Sequence, residues 1–175
     1  MFTKWADIAL RNAWIASGDS DWYGRNNISM DQIKTTQNLT RYYKNRNSFP
    51  TSWDLTFRAN EGDVHNTGFY VGTGDTPPTD EDYFLESYLH TSTLSGRIDS
   101  NYMDINPSTG RYRRNFNIAI TNNMGSTNLV IKEVGYVSNV MVQHPDYPDD
   151  TQSVGILIDR TVLSSSLVIP PVSTG

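Results

Sequence analysis

Arg114-Asn115-Phe116-Asn117-Ile118-Ala119-Ile120 is the stretch on which the fold turns. Phe116, Ile118 and Ile120 fall on one side of an extended chain and Asn115 and Asn117 on the other, the period of two that a half-buried strand requires. Downstream, residues 121–128 form a turn-rich connection around Gly125, and residues 129–137 return with Leu129, Ile131, Val134 and Val137. Residues 154–163, from Val154 through Ile156-Leu157-Ile158 to Val162-Leu163, read as the last long strand. Upstream, Gly68-Phe69-Tyr70-Val71 and the alternating Trp53-Asp54-Leu55-Thr56-Phe57 add two short ones. Connections of this length favour antiparallel neighbours. The expectation is a mainly β chain: an antiparallel β-sandwich or jelly-roll-like domain over residues 68–175, after a short helical or irregular N-terminal region over residues 1–67 that would serve as a docking element.

Within that N-terminal region, Trp5, Ile8, Ala9, Ala13 and Trp14 share one face of a helix over residues 1–17, closed by Ser17-Gly18-Asp19-Ser20. Two tryptophans on so short a helix must pack either on their own chain or on a neighbour. Ser29 followed by Gln32 resembles a capping box and predicts a second short helix to about Lys44. Further on, Gly72-Thr73-Gly74-Asp75-Thr76-Pro77-Pro78 must be a defined loop, because it interrupts any ladder with two glycines and two prolines. Thr79-Asp80-Glu81-Asp82 reads as a capped helical turn with Tyr83-Phe84-Leu85 as its apolar anchor.

Composition narrows the function classes. Hydrophobic residues are only 37% of the 175, but four Trp, ten Tyr and six Phe supply large rings that sustain a core. The absence of cysteine excludes disulfides, thiolate catalysis and Cys-ligated zinc. Lys4, Asp7 and Arg11 interrupt any signal-peptide core, and no run is long enough to span a membrane, so synthesis in a cytoplasm is expected. The net charge of −5 argues against nucleic acid as a partner. Two basic clusters, Arg111, Arg113 and Arg114, and Arg41, Lys44 and Arg46, carry the tyrosines a nucleic-acid site would want, but they read equally as charged strand edges that discourage unwanted pairing.

A family resemblance rests on four segments in order. Val71-Gly72-Thr73-Gly74-Asp75-Thr76-Pro77-Pro78-Thr79-Asp80-Glu81-Asp82-Tyr83-Phe84-Leu85 resembles a Gly-Thr-Gly, Pro, Asp, Leu segment of tailed-bacteriophage virion proteins. Ile131-Lys132-Glu133-Val134-Gly135, Arg160-Thr161-Val162-Leu163 and Val168-Ile169-Pro170 are similar to the stretches that follow it there. The resemblance spans residues 68–171. It implies a non-enzymatic particle component of the tail, neck, fibre or head surface. The partners it implies are other copies of the chain and other phage particle proteins. It carries over no catalytic residue, cofactor or metal.

Interface candidates are the aromatic and loop residues Trp5, Trp14, Trp22, Tyr23, Tyr42, Tyr43, His144, Asp146 and Tyr147. Large rings with little charge suit interface cores. Trp22-Tyr23 and Tyr42-Tyr43 would equally stack on sugars, which makes a host-glycan-binding module or a head-surface decoration protein the alternative reading. His65, His90 and His144 lack the spacing of a helical metal pair, and Asp146, Asp149 and Asp150 lack the glycine and terminal glutamate of a standard calcium loop. Asp19, Asp21 and Asp80–Asp82 are the carboxylates a glycosidase would have to use, with no nucleophile elbow or phosphate loop beside them. The reading adopted is a structural protein without cofactor.

Overall fold

The computed structural model of the chain describes residues 2–9, 28–44, 66–90, 92–106, 108–143 and 151–172. Its centre is a strand in which Leu129, Ile131, Glu133, Gly135 and Val137 are buried in alternation with Val130, Lys132, Val134 and Tyr136. That strand, β6 (Leu129–Gln143), belongs to a five-stranded antiparallel sheet with β1 (Ile28–Lys34), β2 (Thr40–Lys44), β3 (Gly68–Gly72) and β7 (Thr151–Ile169). Pairing with β7 runs the length of β6, from Leu129↔Ile169 to Gln143↔Thr151. Along its other edge β6 meets β3 from Val137 to Glu133 and β2 at Val142 and Gln143. A second, two-stranded antiparallel sheet is the ribbon of β4 (Leu94–Asn106) and β5 (Arg111–Asn122). The chain is thus mainly β and antiparallel.

Three apolar clusters hold these elements together. Trp5 and Ala9, on a short helix α1 (residues 4–9), pack with Ile33, Val140 and Ile156. Thr3 caps α1, its hydroxyl accepting from the Ala6 amide at 3.2 Å. Val71, Leu129 and Ile131 of the large sheet meet Leu94, Ile118 and Ile120 of the ribbon. Tyr70, Val137 and Leu157 close over Leu85. Burying each such side chain contributes about 1.5–3 kcal/mol.

Irregular chain covers β3 and part of β7, two of the edge strands of the large sheet. Along β3, Leu89 donates to the Val71 carbonyl and Thr73 to that of Ser87, with a bridge between Gly72 and Tyr88. Along β7, Phe2 bridges Asp159, Thr3 donates to Ile158, and Thr36 donates to Gly155.

Several expectations change. Residues 29–44 form the β1–β2 hairpin, not a helix. The Thr35 hydroxyl accepts from the amides of Gln37 and Leu39, Asn38 takes φ 60°, and Ile33 is buried, all of which close a turn where a helix would have to continue. Thr79–Asp82 is a turn that no helix follows, with the Asp82 amide bonded to the Thr79 carbonyl. Strand β4 was not expected at all. Strands β1 and β2, from the N-terminal region, lie in the same sheet as β3, β6 and β7, and α1 packs against that sheet. The helix expected over residues 1–17 is described only at 4–9, and the strand over 53–57 lies outside the described residues.

Candidate functional site

The most concentrated chemistry lies where β3, β6, β7 and the loop after β3 converge. Alternation along β6 puts Glu133 on the inward face, where it is fully buried. A carboxylate there is tolerable only if its oxygens are satisfied. Oε1 accepts from the amides of Gly74 at 3.0 Å and Ser87 at 2.8 Å, and Oε2 from the Glu86 amide at 3.1 Å and Arg160 Nε at 2.7 Å. Arg160 itself is 2% exposed and lies one strand away on β7. Its remaining nitrogens reach Asp82 Oδ2 at 2.8 Å and Glu86 Oε2 at 3.4 Å.

The glycines of the loop make room for this. A Cβ on Gly72 would collide with Glu133 Oε1 and the Ser87 carbonyl, and one on Gly74 would sit 2.5 Å from Glu86 Cβ and 2.7 Å from Glu133 Oε1. A Cβ on Gly135 would strike Leu85. Gly72, Gly74, Asp82, Leu85, Glu133, Gly135 and Arg160 therefore form one interlocked unit. Outside it, Lys132 pairs with Asp75 at 2.7 Å, Thr76 donates twice to Glu86, and Asp82 accepts from the amide and hydroxyl of Thr79.

The electrostatics follow from these contacts. Burial pushes the Asp82 carboxyl up, but hydrogen bonds from Arg160 and Thr79 outweigh it and hold the group below the ordinary aspartate value. Burial disfavours the Arg160 cation, and its bonds to Asp82 and Glu133 more than restore it. Thr76 lowers Glu86, and Lys132 lowers Asp75. All these groups are held charged, and the buried pair is committed to its partners. Among the described residues no cluster of three or more His, Asp or Glu is arranged to hold a metal ion. Asp82, Glu86 and Glu133 gather instead around a guanidinium. The arrangement is a clasp: it fixes the loop over the edge of β3, with Glu133 out of reach of any substrate.

The expected interface residues are not brought together here. Trp5 is buried in its own chain, 6% exposed, with Lys4 Nζ 4.5 Å from its ring centre. Tyr42 and Tyr43 stand on β2 opposite Gln143 and Val142. Trp14, Trp22, Tyr23, His144, Asp146 and Tyr147 lie outside the described residues. The clasp residues were legible as motif members, but nothing in their order showed that Glu133 and Arg160 meet. The one available signal was a lone glutamate in register with buried Leu129 and Ile131. No family model, no curated protein and no solved structure matches this chain.

Proposed function

We propose that the chain is a non-enzymatic structural component of a tailed bacteriophage particle, assembling through protein–protein contacts in the tail, neck or fibre region. The observation that carries the proposal is the clasp. Three of the four segments through which the sequence resembles virion proteins supply its parts, and each of those residues makes sense only with the others: the glycines clear space for Glu133, Glu133 needs Arg160, and Arg160 holds Asp82. Such a unit stiffens a small β protein without disulfides and seals a sheet edge that would otherwise invite uncontrolled pairing. Both properties suit a part that must meet defined neighbours in a fixed geometry. In the same reading the two antiparallel sheets are the layers of a sandwich, with Val71, Leu129 and Ile131 facing Leu94, Ile118 and Ile120 between them.

The test is protein mass spectrometry on purified tailed particles from the strain that encodes the chain. The expected result is the chain at a fixed copy number relative to the major particle proteins. A chain abundant in the lysate and missing from intact particles would overturn the proposal.

A further inference from the structure

The corner where β5 turns into β6 and β7 finishes differs from the rest of the molecule in carrying no charged side chain. Residues 115–131 and 161–175 are the two longest stretches of the sequence without Asp, Glu, Lys or Arg, in a chain of which 19% is charged. The fold lays these stretches side by side. Leu129, Val130 and Ile131 pair with Ile169, Val168 and Leu167. Asn122, buried at the end of β5, ties the corner together. Its Nδ2 donates to the Thr127 carbonyl at 2.8 Å and the Ile169 carbonyl at 2.9 Å, and its Oδ1 accepts from the Met124 amide at 2.8 Å.

Apolar surface is left open here. Seven large apolar side chains are exposed among the described residues, and four of them lie within three residues of Asn122 or Ile169. These are Met124, Leu167, Val168 and Val172, between 38% and 60% exposed. Leu167 and Val168 are consecutive on β7 and point to opposite faces, so both sides of the sheet are bare at this end. Phe2, Thr3 and Thr36 cover β7 earlier, but from Thr161 onward it pairs with β6 alone among the described residues. Apolar groups gathered without charge have the composition of an interface core.

The chemistry of the corner selects its occupant. With no ionised side chain it offers nothing to a phosphate backbone or to a charged peptide. Its exposed polar residues include Ser126, Thr127, Asn128 and Ser164–Ser166. Each can both donate and accept a hydrogen bond. In a two-fold contact the same patch meets itself, so residues near the axis face their own kind. Ionised groups repel there, whereas hydroxyls, amides and apolar side chains match themselves. Two copies of −5 repel each other, and that penalty is least where neither carries a charge. Size agrees as well. Residues 123–130 and 161–172 supply nineteen exposed or half-exposed positions, close to the roughly 20–30 per side of a standard interface.

We infer that this charge-free corner is the surface through which two copies of the chain pair about a two-fold axis. The inference rests on the assembly role proposed above and names one contact that role uses.

Light scattering on the full chain at two concentrations, in low and high salt, tests it. The wild type is expected to be a dimer that high salt leaves intact or tightens, because screening weakens the repulsion between like-charged bodies and no ion pair is lost. V168E and V168K should each weaken pairing at least tenfold. An equimolar mixture of the two should recover it as a mixed dimer, the mark of a residue that faces its own copy. S165E, a change at an exposed serine, repeats the loss if circular dichroism shows a Val168 variant unfolded. A wild type monomeric at both concentrations overturns the inference, as does a dimer that none of these changes weakens or one that high salt dissociates. A monomer that binds phosphatidylcholine vesicles, and no longer does so as V168E, overturns it in favour of a lipid surface. The chain's presence in particles is scored separately. A monomer found in particles removes the pairing alone, and a dimer absent from them removes the assembly role alone.

Discussion

Two glycines and two charges set the local structure of the clasp. Gly72 and Gly74 would ordinarily be read as turn residues chosen for backbone freedom, yet left-handed φ values occur at Gly110 and Gly125 and not at these two. Their use is the missing Cβ, because a carboxylate occupies the space. Gly74→Ala should therefore destabilise the protein by about 1–3 kcal/mol in urea unfolding, a cost of overpacking. Arg160→Met should be worse, about 3–5 kcal/mol, since it strands the buried Glu133 carboxylate without its counter-charge. A double variant that also carries Glu133→Gln should lose less than the single changes combined, which a double-mutant cycle would read as coupling. Acid acts on the same contacts. Because Asp82 has a lower pKa in the folded chain than an ordinary aspartate, its contribution is fully present well above the ordinary aspartate pKa of about 4 and is lost as pH falls through the folded value. Denaturation midpoints between pH 2 and 6 should show an acid limb that Asp82→Asn flattens; an identical limb in the variant would assign it elsewhere.

The elements show where sequence patterns inform and where they mislead. Strand β5 was visible because its apolar residues keep a period of two, and β3, β6 and β7 because they are short runs rich in β-branched, aromatic and other apolar residues bounded by turn signals. Strand β4 was invisible because its phase breaks at the bulge: Leu94 and Ile98 sit at even positions, Met103 and Ile105 at odd ones. A pattern that changes parity mid-strand looks like no pattern. The β1–β2 hairpin was misread as a helix because Ser29 and Gln32 match a cap, while the decisive Asn38 conformation leaves no periodic trace. The clasp was half visible for a related reason: residues 27 apart on neighbouring strands meet only once register is known. The bulge makes its own prediction. Deleting Asp99 would join Ile98 directly to Ser100 and leave the pairs from Ser100↔Asn117 to Asn106↔Arg111 as a regular ladder. Amide exchange in the far half of β5 should then stay within about threefold of the wild type, with β6 unaffected; exchange at least tenfold faster there would mean that the ladder depends on the bulge itself.

At the scale of the whole molecule, chain order and spatial order disagree. Residues from the first quarter of the chain complete the core between β6 and β7, where Trp5, Ala9 and Ile33 cover Val140 and Ile156. A truncated chain of residues 68–175 should accordingly bind a hydrophobic dye and melt well below the full protein; equal melting temperatures would show that the N-terminal region is dispensable. The clasp has a different consequence, in time. A ribosome makes Glu133 27 residues before Arg160, an interval of about 1–5 s at bacterial rates of about 5–20 residues per second. Through that interval β6 holds a carboxylate with no guanidinium to accept it, and burying it would be prohibitively costly. The loop over β3 therefore cannot shut on the nascent chain until Arg160 has emerged, and the turn at Thr79–Asp82 reaches its final geometry only then. A neighbour that recognises the closed loop is thereby kept from engaging chains still short of β7.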